Sequence, residues 1–142
     1  MKIKDCMSRD PISVAAEESA AVAARLMSRY NVGSLPVRSG SGKLVGIVTD
    51  RDLVLRCLAI GENPETLPIG RVMTARVTSV SPEDELYTAA ELMAKEQVRR
   101  LPVTEQGRLA GMVSLADVSR REDYTMEAAQ CLCEISRNVK KR

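Results

Sequence analysis

The feature that most constrains this chain is an internal repeat. Displaced by 66 positions, the Leu-Pro-Val segment at 35–37 falls on an identical segment at 101–103. After a one-residue deletion in a turn the offset becomes 65, and Gly46 then falls on Gly111. A register that extends this far indicates a duplication, so each copy is expected to fold as one supersecondary unit.

Both copies show the same order of hydrophobic patterns. A short extended piece, 12–14 or 77–80, precedes a helix, and in the second copy Ser81-Pro82 is the expected N-cap and first helical position. Each helix has one apolar stripe with the spacing i, i+3, i+4, i+7. The stripe residues are Ala20, Ala23, Ala24 and Met27 in the first copy, and Leu86, Ala89, Ala90 and Met93 in the second.

Two strands and a second helix complete each copy. The strands are expected at 35–37 and 44–48, and again at 101–103 and 109–113, because turn residues separate the members of each pair. The second helices begin near Asp50 and Leu115. This order of elements predicts a mixed α/β (α+β) fold of two β-α-β-β-α units. A unit of about 60 residues buries too little surface to be stable alone, so the two units are expected to pack together.

The expected boundaries follow from these patterns. They are repeat 1 at 1–60, a linker with two prolines at 61–70, repeat 2 at 71–121, and a C-terminal amphipathic helix with a basic tail at 122–142. The final helix is predicted at about 125–139, with one apolar face packed on the module or on a dimer mate. That face consists of Ala128, Leu132, Ile135 and Val139.

Composition argues against several classes of function. The 21 basic and 19 acidic residues give a net charge of +2, too small to favour nucleic-acid binding. The sequence contains no long apolar run and no signal-peptide pattern, so no membrane association and a cytoplasmic location are expected. The chain has no histidine, and its four cysteines match no zinc signature, so no metal site is expected. Cys57 is interpreted as a core residue.

One motif, a hydroxyl residue three positions before an aspartate, occurs at both strand-to-helix junctions. It is Thr49–Asp52 in the first copy and Ser114–Asp117 in the second. The structural interpretation is a capping box, in which each side chain binds the other residue's backbone N–H. The functional interpretation is a ligand site, with the hydroxyl toward a phosphate and the carboxylate toward a ribose. The two interpretations are compatible. Asp50, next to Thr49, is attributed to a charge cluster at the helix start.

The doubled pattern of Leu-Pro-Val followed by Gly-h-h-[Ser/Thr]-x-x-Asp resembles the cystathionine-β-synthase (CBS) domain, and two in tandem resemble a CBS pair, or Bateman module. The resemblance covers about residues 3–121 and is greatest to small stand-alone bacterial pairs, some linked to stress. It implies two repeats related by pseudo-two-fold symmetry and adenine-nucleotide sites in the cleft between them. The implied contact residues are Thr49 and Asp52, Ser114 and Asp117, and Ile12, Val32, Gly33, Thr78 and Val98.

Arg100 is added by a further resemblance. The segment 98–101, Val-Arg-Arg-Leu, is similar to one in the gamma subunits of energy-sensing kinases, whose arginine contacts a nucleotide phosphate. Ser34 occupies the same place in the first copy, so the two sites are expected to be unequal.

The function expected is regulatory ligand sensing without catalysis. The regulatory ligand is AMP, ADP, ATP or an adenosyl compound, no cofactor is required, and the partners are a second copy and a separate effector protein. The alternative is a ligand-free structural module that acts through its dimer surface or its C-terminal helix.

Overall fold

The computed structural model describes residues 1–121 and 125–136, and it forms two compact units. One unit is Ile12–Val77, here called the first-repeat unit. The other combines Met1–Pro11 with the chain from Thr78 onward and is called the second-repeat unit. The described residues form two three-stranded sheets and five α-helices, which confirms the predicted mixed α/β class.

The first-repeat unit contains a sheet of order β2-β3-β4, in which β2 runs parallel to β3 and β4 runs antiparallel to it. The second helix continues into a π-helical turn at Val54–Leu58, and a 3-10 turn follows at Ile69–Arg71. The elements are β2 (Val14–Ala15), α1 (Ala20–Tyr30), β3 (Ser34–Arg38), β4 (Leu44–Thr49) and α2 (Asp50–Leu53).

The second-repeat unit has a sheet of order β1-β6-β5, in which both neighbouring pairs are antiparallel. A parallel bridge between Val80 and Val103 takes the place that β2 holds in the first-repeat unit. A 3-10 turn at Ile3–Asp5 precedes β1. The elements are β1 (Ser8–Arg9), α3 (Leu86–Glu96), β5 (Arg100–Glu105), β6 (Arg108–Ser114), α4 (Leu115–Ser119) and α5 (Thr125–Ser136).

The helical stripes lie largely where the sequence predicts them. All four stripe residues of α3 are buried, with Leu86, Ala89 and Met93 fully inaccessible. In α1 the prediction for Ala24 is wrong, because that residue is exposed and Ala21 is buried instead. The Ala20 and Ala21 N–H groups donate to the Leu67 and Pro64 carbonyls, so the chain after the π-helical turn packs against the N-terminal end of α1.

The predicted start of the second copy's helix is also wrong. Ser81 is not an N-cap: its N–H donates to the Asp84 carboxylate, and the Asp84 N–H donates back to the Ser81 carbonyl. These bonds close a separate turn, and α3 begins four residues after Pro82, at Leu86. A short polar side chain that can bind nearby backbone groups stabilises a turn as readily as a helix start.

Each unit contains an arm, which is a segment from the start of the other sequence repeat. The arm of the second-repeat unit is Met1–Pro11, which pairs with β6, and the arm of the first-repeat unit is the segment 69–74, which pairs with β4 through Ile47 and Thr74. A glycine allows each close approach. A Cβ at Gly111 would lie 2.5 Å from the Ser8 carbonyl oxygen, and a Cβ at Gly46 would lie 2.9 Å from the Thr74 oxygen.

Segments outside the repeats also contribute to the cores. The predicted linker 61–70 contains Leu67 and Ile69, which are buried in the first-repeat unit. In α5 the buried residues are Ala128 and Cys131, with Ile135 packed beside them. Leu132, predicted on the same face, is 48% exposed in the single chain and does not join this packing, so its contact with a dimer mate stays a prediction. Residue 139, assigned to the same face, lies outside the described residues.

Candidate functional site

The second-repeat motif forms a complete capping box at the start of α4. The Ser114 hydroxyl accepts a hydrogen bond from the Asp117 N–H at 3.1 Å, and the Asp117 Oδ2 accepts one from the Ser114 N–H at 2.8 Å. The structural interpretation of the motif is therefore realised. A serine hydroxyl also carries a proton of its own, so Ser114 can still donate to a ligand while it serves as the cap.

Arg100 lies beside this motif because of the strand register. It is the first residue of β5 and pairs directly with Ser114, the last residue of β6. Directly paired residues of antiparallel strands point to the same face of the sheet, with Cβ atoms about 5 Å apart. The structure therefore brings the exposed Arg100 guanidinium onto the side of the sheet that holds the Ser114 hydroxyl.

The second oxygen of Asp117 is in an ion pair. Arg120, one helical turn further along the chain, places its Nη1 3.1 Å from the Asp117 Oδ1. The Asp117 side chain is 11% exposed, whereas that of Arg120 is 73% exposed. Burial raises the pKa of the nearby Cys6 thiol, and the negative charge of Asp117 raises it further, so this thiol remains protonated at neutral pH.

The first-repeat motif has the same capping box in a different electrostatic setting. Thr49 and Asp52 exchange two hydrogen bonds of 3.0 Å each. The other oxygen of Asp52 lies 3.9 Å from the Arg56 Nε. Arg56 is fixed by the backbone, because its Nη1 donates to the carbonyls of Val72 and Met73 at 3.0 and 3.2 Å.

Gly33 and Asp50 form a second contact in this unit. The Asp50 N–H donates to the Gly33 carbonyl at 2.9 Å, and a Cβ at Gly33 would lie 3.2 Å from the Asp50 carboxylate. In the second-repeat unit the Leu115 N–H makes the matching bond to the Arg99 carbonyl at 2.7 Å. The backbone geometry is thus retained while the side chains change from Gly and Asp to Arg and Leu.

The remaining predicted contact residues are apolar or small and partly accessible. Ile12 and Val32 border the first-repeat core, and Val98 is 37% exposed at the corresponding place in the second-repeat unit. Val32 and Val98 follow helix ends in the same way, with N–H bonds of 3.0 Å to the carbonyls of Met27 and Met93. Thr78 is half-buried.

Arg56 and Arg120 were not identified as site residues from the sequence. Both lie within one helical turn of a motif aspartate, at spacings i+4 and i+3, and an acid followed by a base at these spacings is the signal that identifies them. Ser34 pairs with Thr49 as Arg100 pairs with Ser114, so the first-repeat unit has no guanidinium at that strand position.

The described ranges 1–121 and 125–136 also bear on metal binding, membrane insertion and the environments of the cysteines. These residues contain no group of three potential metal ligands. None of their helices is both long and apolar enough to cross a bilayer. Cys57 is buried in the first-repeat core, as predicted, and burial raises the pKa of the Cys131 thiol.

Comparison with protein families and sequences gives consistent matches. The sequence model described as the CBS domain matches residues 3–58 and 69–123. The CBS domain-containing protein YhcV of Bacillus subtilis is 37% identical over 134 residues, which cover 94% of each chain. Hypoxic response protein 1 of Mycobacterium tuberculosis is 30% identical over 132 residues, which cover 92% of each.

Solved structures give the same pattern. Hypoxic Response Protein I with two coordinated zinc ions has a TM-score of 0.80 at 32% identity, covering 85% of this chain and 98% of that one. The CBS pair of protein MJ0100 in complex with 5′-methylthioadenosine and S-adenosyl-L-methionine has a TM-score of 0.73 at 30% identity, covering 84% and 94%. CBSX2 in complex with AMP has a TM-score of 0.73 at 29% identity, covering 84% and 93%.

Proposed function

Because this chain belongs to the CBS domain family, with a domain match at each repeat, we propose that it is a regulatory module that senses an adenine nucleotide. The observation that carries the proposal is the Ser114–Asp117 box with Arg100 directly opposite Ser114. These residues offer a hydroxyl donor, a carboxylate and a guanidinium, which are groups that suit a ribose phosphate.

Each group has a proposed role that its chemistry supports. Asp117 and Asp52 accept hydrogen bonds from the ribose hydroxyls of their ligands, because a carboxylate offers about four acceptor positions and the capping box uses only one. Ser114 and Thr49 donate their hydroxyl protons to phosphate. The adenine contacts are the five apolar or small residues Ile12, Val32, Gly33, Thr78 and Val98.

Two relatives of known structure support the choice of ligand class. AMP is bound to CBSX2, and two adenosyl compounds are bound to MJ0100. Within this chain, Arg100 favours a phosphorylated ligand at the Ser114–Asp117 site. The Thr49–Asp52 site has Ser34 at that position and is proposed to bind more weakly, or to accept a ligand with less negative charge.

Calorimetry with AMP, ADP, ATP and S-adenosyl-L-methionine tests the proposal directly. A ligand that binds only the folded protein also stabilises it by about 2.7 kcal/mol at 100 times its dissociation constant, so the melting temperature should rise in parallel. Asp117→Asn should remove the tight phase with AMP, while Asp52→Asn should retain it. Loss of tight binding in Asp52→Asn alone would assign the nucleotide to the other motif, and no binding of any ligand would refute the function.

The ligand is proposed to act as a signal that the protein does not alter. The two motifs offer hydroxyl, carboxylate and guanidinium groups, and among them the only potential general bases are carboxylates already bound to backbone N–H groups. ATP incubated with the pure protein and then chromatographed should be recovered intact. Turnover by the protein would overturn the non-catalytic assignment.

A second copy of the chain is the proposed structural partner. Apolar side chains are exposed on the outer side of α2 and its π-helical turn, where Leu55 and Leu58 are 48% and 63% accessible, and on α5, where Leu132 is 48% accessible. Light scattering at micromolar concentration should give twice the mass of the 15.5 kDa chain. A monomer at that concentration would exclude the dimer.

An interaction module without a ligand is the second candidate. Met126 is 80% exposed on α5, and the exposed Cys133, seven residues further along, lies on the same side of the helix. Leu132 is half-exposed about a third of a turn away, and these accessible apolar side chains suit a protein partner. Truncation after Glu122 distinguishes the roles of this helix. If the melting temperature and the oligomeric state stay unchanged, α5 is neither a core element nor the dimer contact.

A further inference from the structure

The two motif aspartates differ in what occupies their second oxygen. Each uses Oδ2 for the capping box. The Asp117 Oδ1 is hydrogen-bonded by Arg120 at 3.1 Å, whereas the Asp52 Oδ1 is 3.9 Å from Arg56, beyond direct hydrogen-bond distance. The residue of the first copy that corresponds to Arg120 is Leu55.

The two arginines also differ in their freedom to move. Arg56 is anchored to two backbone carbonyls of the first-repeat unit. Within the described residues the Arg120 side chain bonds only to Asp117, and 73% of this side chain is accessible. An exposed ion pair of this kind is weak, so a ligand that approaches the carboxylate can displace the guanidinium.

We propose that Arg120 makes the Ser114–Asp117 site select phosphorylated nucleotides over free nucleosides. The inference rests on the proposed function, because it takes Asp117 as the ribose acceptor. A ribose that binds Asp117 competes with Arg120 for the Oδ1. A nucleoside offers the displaced guanidinium no new anion. A nucleotide offers its phosphate, and guanidinium–phosphate pairing is among the stronger hydrogen-bonded contacts.

Arg120 and Arg100 therefore act on different steps of recognition. Arg100, across the strand pair from Ser114, makes no ion pair within residues 1–121 and 125–136, so it adds to phosphate binding without first breaking a contact. Arg120 opposes ribose binding and contributes only when a phosphate is present. Removal of Arg120 should therefore weaken AMP binding and strengthen adenosine binding, whereas removal of Arg100 should weaken AMP binding and leave adenosine unchanged.

The experiment is calorimetry of the full-length chain with AMP and with adenosine, comparing wild type, Arg120→Gln and Arg121→Gln. Arg121 is the matched control, since it removes the same charge from the next position and contacts the Asp5 carbonyl instead of Asp117. In Arg120→Gln the preference for AMP over adenosine should fall about tenfold or more, because the guanidinium–phosphate contact is lost. Both ligands displace the ion pair, so its removal cancels in this preference and instead raises the adenosine affinity by up to about fivefold. Arg121→Gln should retain the wild-type preference.

Three outcomes overturn the inference, and they are distinguishable. If wild type binds neither ligand, the proposed function fails and the role of Arg120 fails with it. If wild type prefers AMP and Arg120→Gln keeps the full preference, only the role of Arg120 is refuted. If both substitutions reduce AMP binding equally and leave adenosine unchanged, the effect is general charge attraction, and competition at Asp117 is excluded.

Discussion

The two units share a backbone plan and differ in the charged groups at its edges. Each has a capping box at the end of its last strand, a bond from the helix start to the residue before the Leu-Pro-Val strand, and a borrowed arm next to a glycine. The second-repeat unit adds Arg100 and Arg120 around the motif, where the first-repeat unit has Ser34 and Leu55.

The two arms also differ in their charged residues. The arm of the second-repeat unit is held by ion pairs, from Lys2 and the terminal amine to Glu85 and from Lys4 to Glu83. At the arm of the first-repeat unit, Pro68 and Gly70 stand at the positions of Lys2 and Lys4, and they carry no charge. The comparison teaches that backbone hydrogen bonds and buried aliphatic contacts preserve the duplicated scaffold, while the exposed charged side chains differ between the two copies.

The largest expected effect comes from the buried anchor of each arm. Ile3 and Ile69 are equivalent and fully inaccessible, and each lies in the core cluster of the unit that its arm joins. Replacing either with Ala should cost about 2–5 kcal/mol of stability. Hydrogen exchange should increase at β6 in Ile3→Ala and at β4 in Ile69→Ala. The opposite pattern would contradict the exchange of arms.

The next effect concerns ligand affinity. Arg100→Ala should weaken AMP binding by about 10- to 150-fold, since a hydrogen bond to a charged group contributes about 1.5–3 kcal/mol. Ser34→Ala is the matched change in the first copy and should leave the tight AMP phase unaltered. Calorimetry with AMP measures both variants. Equal losses of AMP affinity in Arg100→Ala and Ser34→Ala would refute the proposed inequality of the two sites.

Adding a methyl group at the arm contacts should have a somewhat smaller effect. Gly111→Ala places a Cβ against the Ser8 carbonyl and Met7, and Gly46→Ala places one against Met73 and the Thr74 carbonyl. Each change should cost about 1–3 kcal/mol, the range for overpacking. Chemical denaturation measures the loss, and limited proteolysis should cut the corresponding arm first. A neutral result at either position would show that its arm is loosely attached.

The smallest effect is a dependence on pH in one arm only. Hydrogen bonds from Lys2 and the terminal amine lower the pKa of Glu85, and the bond to Glu85 raises the pKa of Lys2. The stability that ionised Glu85 contributes to the arm is therefore present above its ordinary pKa of 4.5, and it is lost as pH falls through the lowered pKa. The stability that protonated Lys2 contributes is lost as pH rises through its raised pKa.

Amide exchange at Ile3 and Leu86, whose N–H groups bond across the arm contact, reports this dependence. Exchange there, corrected for its intrinsic pH dependence, should increase in acid, and Glu85→Gln should make the acid-induced change disappear. The arm of the first-repeat unit should show no such change. An equal acid response in both arms would point to a cause other than this ion pair. High salt should reduce the difference, because these pairs are exposed.

The sequence by itself determined the duplication, the order of elements and the residues at the motif. The four-residue stripe of α3, both strand pairs and the starts of α2 and α4 were predictable, because local periodicity and turn chemistry specify them. The hydroxyl–acid boxes were also predictable, since both partners lie within one helical turn. The contact of Arg120 with Asp117 was predictable for the same reason, because the two residues are three positions apart on one helix.

Tertiary structure decided which segments join which core. No local signal showed that Ile3 packs with the second repeat, that Leu67 and Ile69 complete the first, or that Leu132 remains half-exposed. The placement of Arg100 opposite Ser114 depends on strand register, which is set jointly by two strands and the turn between them. Periodicity identifies an apolar face of a helix or strand. The segment that covers this face is distant in sequence, so only the folded chain shows which segment packs there.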